Sequence, residues 1–258
     1  MKIFFFDIDG TLAVNKHIPQ NNINVLKKLK EKGYLTFICS GRAPFYAKNL
    51  FGNLVSGYIC CNGRYIIYNQ QKLHGEKLTK KDLNYYLQIF EKENLGALLV
   101  SDDISMCYHL TEKEIEDSKK EYGQCHIIPY QDDKPIYTFD IFYHHIDKRE
   151  RMMDIFKNTL IINDHHGMGH CDCSTIEYDK GHAISYLLNY FQISKDNAYA
   201  FGDGYNDQAM FREVNHCIAM GNAVNELKEK ATYITDSVDN NGIAKALIFE
   251  NILTKEDI

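Results

Sequence analysis

Short apolar runs alternate with amphipathic stretches over the first third of the chain. Lys2 to Ile8 is almost wholly apolar, the pattern of a strand buried on both faces of a parallel sheet. It ends at a turn, Asp9-Gly10-Thr11. Ile23, Leu26 and Leu29 recur at helical spacing, and Gly33 is placed to end that helix. Tyr34 to Cys39 reads as a second buried strand and Gly57 to Cys61 as a third. They close on Ser40-Gly41-Arg42 and on Asn62-Gly63. Strand–helix–strand alternation predicts a doubly wound parallel α/β sheet. Ligands of such sheets sit beyond the carboxyl ends of the strands, where all three runs end in small polar residues.

The pattern then changes. Helices are predicted over Lys80 to Asn94, Glu112 to Tyr122 and Asp147 to Asn158. Strands are predicted from Ala97, over Tyr137 to Tyr143 and over His170 to Tyr178. Their apolar–polar alternation suits an antiparallel sheet with one wet face. From Lys180 the first pattern returns. A helix runs to Phe191, a buried strand covers Ala198 to Phe201, and a turn comes next at Gly202-Asp203-Gly204. Short elements are read at Asp207 to Phe211, Cys217 to Met220, Asn225 to Lys230 and Tyr233 to Thr235, then a helix from Ile243 to Ile252. The expected organisation is a sheet domain built from 1–79 and 180–258, with an α+β domain, 80–179, inserted between.

Composition narrows the function. The 258 residues carry a formal charge of −6, which speaks against a nucleic-acid protein held mainly by phosphate contacts. A small anionic substrate is still compatible, because the local field of a site outweighs net charge. No apolar run approaches the ~20 residues that span a bilayer. The opening Met1 to Asp7 turns acidic too soon for a signal peptide. Eight scattered cysteines in a long chain read as reduced thiols, and the expected location is the cytoplasm.

Candidate chemistry gathers at the strand ends. Asp7 and Asp9 come directly after the first strand. Such a pair can bind a hard cation, or one carboxylate can attack while the other moves protons. An ordinary strand-end turn has the same composition. Gly202-Asp203-Gly204-Tyr205-Asn206-Asp207 adds two carboxylates and glycines that let a ligand approach the backbone. It lacks the distal Glu of a calcium loop and the third glycine of a dinucleotide fingerprint. Ser40-Gly41 can offer phosphate a hydroxyl and N–H donors, and Lys180 opens a helix with an ammonium. Together these elements suit phosphoryl transfer, where catalysis is mostly positioning and charge neutralisation.

Taken in order, Asp7-Ile8-Asp9-Gly10-Thr11, Ser40, Lys180 and Gly202 to Asp207 resemble the four motifs of the haloacid dehalogenase superfamily. The long gap between Ser40 and Lys180 resembles the Cof-type branch of sugar-phosphate phosphatases, whose type IIB cap is inserted there. Asn62-Gly63, Met220-Gly221-Asn222-Ala223 and Gly242-Ile243-Ala244 are similar to that branch as well. Tyr205 departs from it, standing where the family usually has an acidic or small residue. The resemblance implies that Asp7 is the nucleophile and Asp9 the general acid and base. It implies Mg²⁺ held by Asp7, the Asp9 backbone carbonyl and Asp203, with Asp207 in support. Ser40, the Gly41 amide, Asn206 and Lys180 would hold the phosphate of a small phosphorylated metabolite.

Other readings compete with a phosphatase. A dehalogenase has no leaving alcohol to protonate and no use for Asp9. A phosphomutase usually carries a smaller cap after the first motif, and the gap from Thr11 to Ser40 is short. A non-catalytic phosphate-binding module need not keep a second, proton-handling carboxylate. The segment His165 to Cys173 offers soft-metal ligands, but its C-x-C spacing lacks a regular partner pair, so a loop and strand of the insert is the expectation. His144-His145 reads as insert surface or strand, and Phe4-Phe5-Phe6 as core.

Overall fold

A computed structural model describes residues 1–164 and 169–258. The part of the histidine- and cysteine-containing segment at 165–168 lies outside the described residues. The chain builds two sheets.

The large sheet holds β1 (Ile3–Phe6), β2 (Leu35–Cys39), β3 (Gly57–Cys60), β4 (Tyr65–Tyr68) and β5 (Gln71–Gly75). The six-stranded sheet holds β6 (Gly96–Val100), β7 (Ser105–Tyr108), β8 (Ile127–Pro129), β9 (Thr138–Phe142), β10 (Leu160–Asp164) and β11 (His170–Thr175). The chain then returns to the large sheet with β12 (Ala198–Gly202), β13 (His216–Ala219) and β14 (Tyr233–Ile234). The order in the large sheet is β14-β13-β12-β1-β2-β3-β4-β5. Its pairings from β14 to β3 are parallel, while β3-β4-β5 is antiparallel. The antiparallel end is absent from the sequence reading.

The alternation of side chains along β1 divides the core. Phe4 and Phe6 face a layer made by α1 (Gln20–Glu31), α2 (Pro44–Phe51) and the C-terminal helix, whose Ile243 and Leu247 are buried there. Ile3 and Phe5 face the opposite layer, with Ala183, Ile184 and Leu187. Phe6 stacks on Phe201 of β12 with ring centroids 4.8 Å apart. A strand apolar at every position is thus explained by helices on both faces.

The six-stranded sheet runs β10-β11-β9-β6-β7-β8, antiparallel except for β7 with β8. Among its helices, α3 (Lys80–Glu93) and α5 (Arg149–Phe156) bury Tyr86, Phe90, Met152 and Phe156 against Phe139 and Ile141. The other face is not uniformly wet. Leu98 and Phe142 pack with Tyr122, the last residue of α4 (Glu112–Tyr122), so β6 and β9 are buried along their whole length. The expected one-sided alternation fails at these two central strands because each face has a cover.

Cys171 and Cys173 lie on one face of β11 with their sulfurs 3.9 Å apart, inside this apolar layer. His144 lies just past β9 and shares a hydrogen bond of 2.9 Å with Glu114. No helix among the described residues is long and apolar enough to cross a membrane.

Candidate active site

The parallel strands place the candidate residues. β12, β1 and β2 are adjacent, at the ~4.8 Å spacing of neighbouring strands, so the loops leaving their carboxyl ends meet one another. Phe6 is level with Phe201 on one side and Ile38 on the other. Asp7 therefore emerges between Asp203 and Ser40. The Asp7 amide donates to the Phe201 carbonyl at 3.0 Å and continues the ladder by one residue.

The chain then turns sharply. Gly10 has a φ of +85°, and a Cβ there would lie 2.2 Å from an Asp203 carboxylate oxygen. Only glycine lets this turn lie against Asp203. The turn also brings Thr11 Oγ1 to donate to Asp203 Oδ1 at 2.7 Å. Asn222 Nδ2 donates to the Gly10 carbonyl at 2.9 Å, tying the loop after β13 to the first turn.

Lys180 is the first residue of α6 (Lys180–Phe191). Asp179 caps this helix, accepting the amides of Gly181 and His182 at 2.9 and 3.2 Å. The Lys180 ammonium donates to Asp7 Oδ1 and to Asp207 Oδ1, each at 2.6 Å. Lys180 is 1% exposed and Asp207 0%. Asp207 Oδ2 accepts the amides of Asp203 and Gly204, both at 2.9 Å. Asp207 thus has both oxygens engaged, and it locks the loop that carries Asp203.

This packing sets the electrostatics. Burial pushes the Asp7 carboxyl well above the usual range; Lys180 opposes that shift, and Asp207 and Asp203 add to it. Burial and the Asp207 charge push Asp203 up to about 7, against the Thr11 hydrogen bond. Burial alone would lower the Lys180 pKa, but Asp207 and Asp7 raise it, so it stays charged. These carboxylates together lack positive charge.

Oxygens of Asp7, Asp203 and Asp207 lie within 4.8 Å of one another. All the donors are hard carboxylate oxygens, the chemistry that suits Mg²⁺ and similar cations. Burial first, and repulsion among the carboxylates second, raise the pKa values of Asp7 and Asp203, and a divalent cation would offset both. The residues present therefore fit such an ion. The Asp9 side chain is not in this group. Its carboxylate is 47% exposed and accepts from Arg42 Nε at 3.1 Å.

Ser40 is buried, with its hydroxyl accepting the Arg42 amide at 3.2 Å. Gly41 lies against the Asn62 side chain, and Asn206 Nδ2 reaches Asn62 Oδ1 at 3.5 Å. A cavity of about 650 Å³ opens over these residues. Asp7, Asp9, Ser40, Gly41, Asp203 and Asn206 line it on one side. Arg149, Met153, Asn163, Asp164 and Asp172, all from the six-stranded unit, line the other. All eight candidate residues thus converge, although Lys180 stands behind Asp7 rather than on the cavity wall.

Residues 4–247 match the family of haloacid dehalogenase-like hydrolases. The chain belongs to that family. This hydrolase is 29% identical over 253 residues to the putative phosphatase YkrA of Bacillus subtilis, covering 95% of this chain and 96% of that one. It is 28% identical to 5-amino-6-(5-phospho-D-ribitylamino)uracil phosphatase YwtE of the same organism, over 95% and 96% of the two chains. The solved structure of the HAD subclass IIB sugar phosphatase BT4131 matches with a TM-score of 0.82 at 24% identity, covering 98% of this chain and 100% of that one. That likeness is one of fold, and it agrees with the Cof-type, type IIB resemblance carried by the motifs. The enzyme is of the phosphatase class that the motifs led us to expect.

Two features of this hydrolase escaped the sequence reading. Arg42 was only a turn residue after Ser40-Gly41, yet it reaches Asp9. The cavity wall at Arg149, Asp164 and Asp172 carries no motif. Arg149 Nε donates to Asp164 Oδ2 at 2.7 Å, a pairing that spacing along the chain does not reveal.

Proposed function

We propose that this hydrolase is a Mg²⁺-dependent phosphomonoesterase of small phosphorylated metabolites, working through an aspartyl-phosphate on Asp7. The observation that carries this reading is Asp7 itself. It stands at the cavity wall with Lys180 bonded behind it, Asp203 beside it and a second carboxylate, Asp9, on the next turn.

Asp7 and Asp203 would hold the cation, with Asp207 in support. When bound, it would offset the charge of an incoming phosphate and draw the carboxylates together. The rest is the work of the chain. Lys180 opposes the effect of burial on Asp7 and orients its carboxylate. Ser40, Gly41 and Asn206 bind the phosphate oxygens. An Asp7 oxygen attacks phosphorus as the bond to the leaving alcohol breaks, and Asp9 gives its proton to the alcohol oxygen. Asp9 then takes a proton from water. That water attacks phosphorus, the bond to Asp7 breaks and phosphate leaves.

Residues 80–179 act as a cap, enclosing a metabolite-sized leaving group and excluding water. Eight free cysteines fit work in a reducing cytoplasm.

The metal is tested first. Activity on p-nitrophenyl phosphate should vanish with EDTA and return with Mg²⁺ better than with Zn²⁺. The rise in melting temperature on adding Mg²⁺ should be larger at pH 8 than at pH 6. Asp203, at about 7, is mostly protonated at pH 6 and mostly ionised at pH 8, and must be ionised to bind the ion. Full turnover after chelation, with metal analysis showing none bound, would contradict the reading.

Asp9 is tested by Asp9→Asn. Its side chain lies outside the metal group, so Mg²⁺ affinity should change little while kcat falls by about 10²–10⁴. Calorimetric titration with Mg²⁺ checks the first point and steady-state assay the second. A loss of affinity as large as that of Asp203→Asn would make Asp9 a side-chain ligand instead.

A further inference from the structure

Arg42 joins the two units at the candidate general acid. It lies in the turn between β2 and α2, and its Nε donates to Asp9 Oδ2 at 3.1 Å. Its Nη1 donates to the Glu121 carboxylate and, at 2.9 Å, to the Tyr122 hydroxyl. Glu121 and Tyr122 are the last residues of α4. The rings of Tyr46 and Tyr122 lie beside the guanidinium, 5.1 and 5.7 Å from its carbon. One planar group is thus fixed from α4 and from α2 while it holds Asp9.

The contrast in exposure matters. The Arg42 side chain is 16% exposed and that of Asp9 47%. An open carboxylate on a turn has several rotamers within reach, and a guanidinium fork in a fixed plane selects among them. With Oδ2 bonded to Arg42, Oδ1 is the oxygen left to face the leaving group. Arg42 and Asp9 also stand between two cavities. Besides the one over Asp7, a second of about 720 Å³ is lined by Lys16, Glu114 and Glu121. Both residues face both spaces.

We propose that Arg42 is a positioning residue that couples the seating of α4 to the aim of the Asp9 carboxylate. Glu121 and Tyr122 hold Arg42, and Arg42 holds Asp9 with Oδ1 toward the leaving oxygen. When α4 lifts away, Arg42 loses both of these partners and Asp9 loses its direction. Proton transfer to the leaving group is then effective only with the six-stranded unit docked. The inference rests on the reading of Asp9 as general acid.

The test compares two aryl esters of similar size, p-nitrophenyl phosphate and phenyl phosphate. Phenol is the poorer leaving group and needs its proton more. Single-turnover release of the phenol is measured for the wild type, Glu121→Gln/Tyr122→Phe, Arg42→Lys and Asp9→Asn. The Glu121→Gln/Tyr122→Phe protein keeps Arg42 and Asp9 but loses the grip of α4. Its release rate should fall about tenfold with phenyl phosphate and less than threefold with p-nitrophenyl phosphate, with KM for both nearly unchanged. Arg42→Lys keeps the charge without the fork and should show the same split.

Equal losses with both esters, or no loss with phenyl phosphate, overturn the proposal. If Asp9→Asn shows the split and the α4 variants do not, the coupling fails while the general acid stands. If Asp9→Asn itself loses both esters equally, the general acid falls and the coupling with it. Should the double variant not fold, Tyr122→Phe and Arg42→Lys carry the same comparison.

Discussion

Asp7→Asn should lower kcat on the order of 10³-fold or more and at the same time raise the melting temperature of the metal-free protein. The first effect comes from losing the charge of the proposed nucleophile. The second comes from the packing. Burial holds the Asp7 pKa well above normal, so the charged form is penalised in the fold, and Asp207 and Asp203 add repulsion. A carboxyl with a raised folded-state pKa supports the fold below its unfolded value and loses that support as pH rises through the folded value. Asn carries no such loss. The stability gap between variant and wild type should therefore widen with rising pH and narrow on adding Mg²⁺. Thermal melts at several pH values in EDTA measure it. A variant that is both active within tenfold and no more stable would remove Asp7 from the centre of the site.

Lys180→Met should do the reverse to stability. Lys180 is the common partner of Asp7 and Asp207, at 2.6 Å from each. Removing it leaves buried carboxylates uncompensated, at a cost of about 3–5 kcal/mol. That corresponds to a melting temperature lower by roughly 10 °C for a chain of this size. Lys180 stays protonated throughout the neutral range, so its charge is there to be lost at pH 7. It should shrink toward acid pH, as Asp7 takes up a proton. Lys180→Met/Asp7→Asn should recover part of the loss, because the two changes act on one network. Additive effects in that double variant would show that the contact contributes little. Activity should fall in both variants.

Much of this organisation was legible because local signals agreed with the tertiary outcome. Phe4-Phe5-Phe6 needs two covered faces, and α6 begins at the Lys180 predicted to open it. α4 is helical from Glu112 to Tyr122 as read, with a capping box at Thr111 and Glu114. The unread elements lack such agreement. β4 and β5 meet at Asn69-Gln70, both at positive φ, a hairpin turn that usually announces itself with glycine. α2 begins on Pro44, a helix-starting position that also reads as a break. β10 is only Leu160–Asp164 and gains its identity from pairing with β11. Among the site residues, those attached to strand ends were readable, because topology fixes them. Arg42 was not, because its partners Glu121 and Tyr122 lie on a different sheet's helix. Lys180 was read as a phosphate ligand. Its burial behind Asp7 depends on how α6 packs, which no local pattern contains.

The position of β1 has a consequence for how this chain is made. Its neighbours are β2, level at Ile3 with Leu35, and β12, level at Ile3 with Ala198. One edge is available soon after the ribosome releases the first helix. The other requires about three quarters of the chain, on the order of ten seconds or more at ~5–20 residues per second. Until then Phe4, Phe5 and Phe6 present unpaired backbone and apolar side chains, a template for wrong pairing. The six-stranded sheet, by contrast, has all its strands once Thr175 is made. Vectorial synthesis therefore lets the inserted sheet form first and the large sheet, with the carboxylates of the candidate site, close last. A nascent chain arrested before Ala198 carries every strand of the six-stranded sheet but only one of the two neighbours of β1.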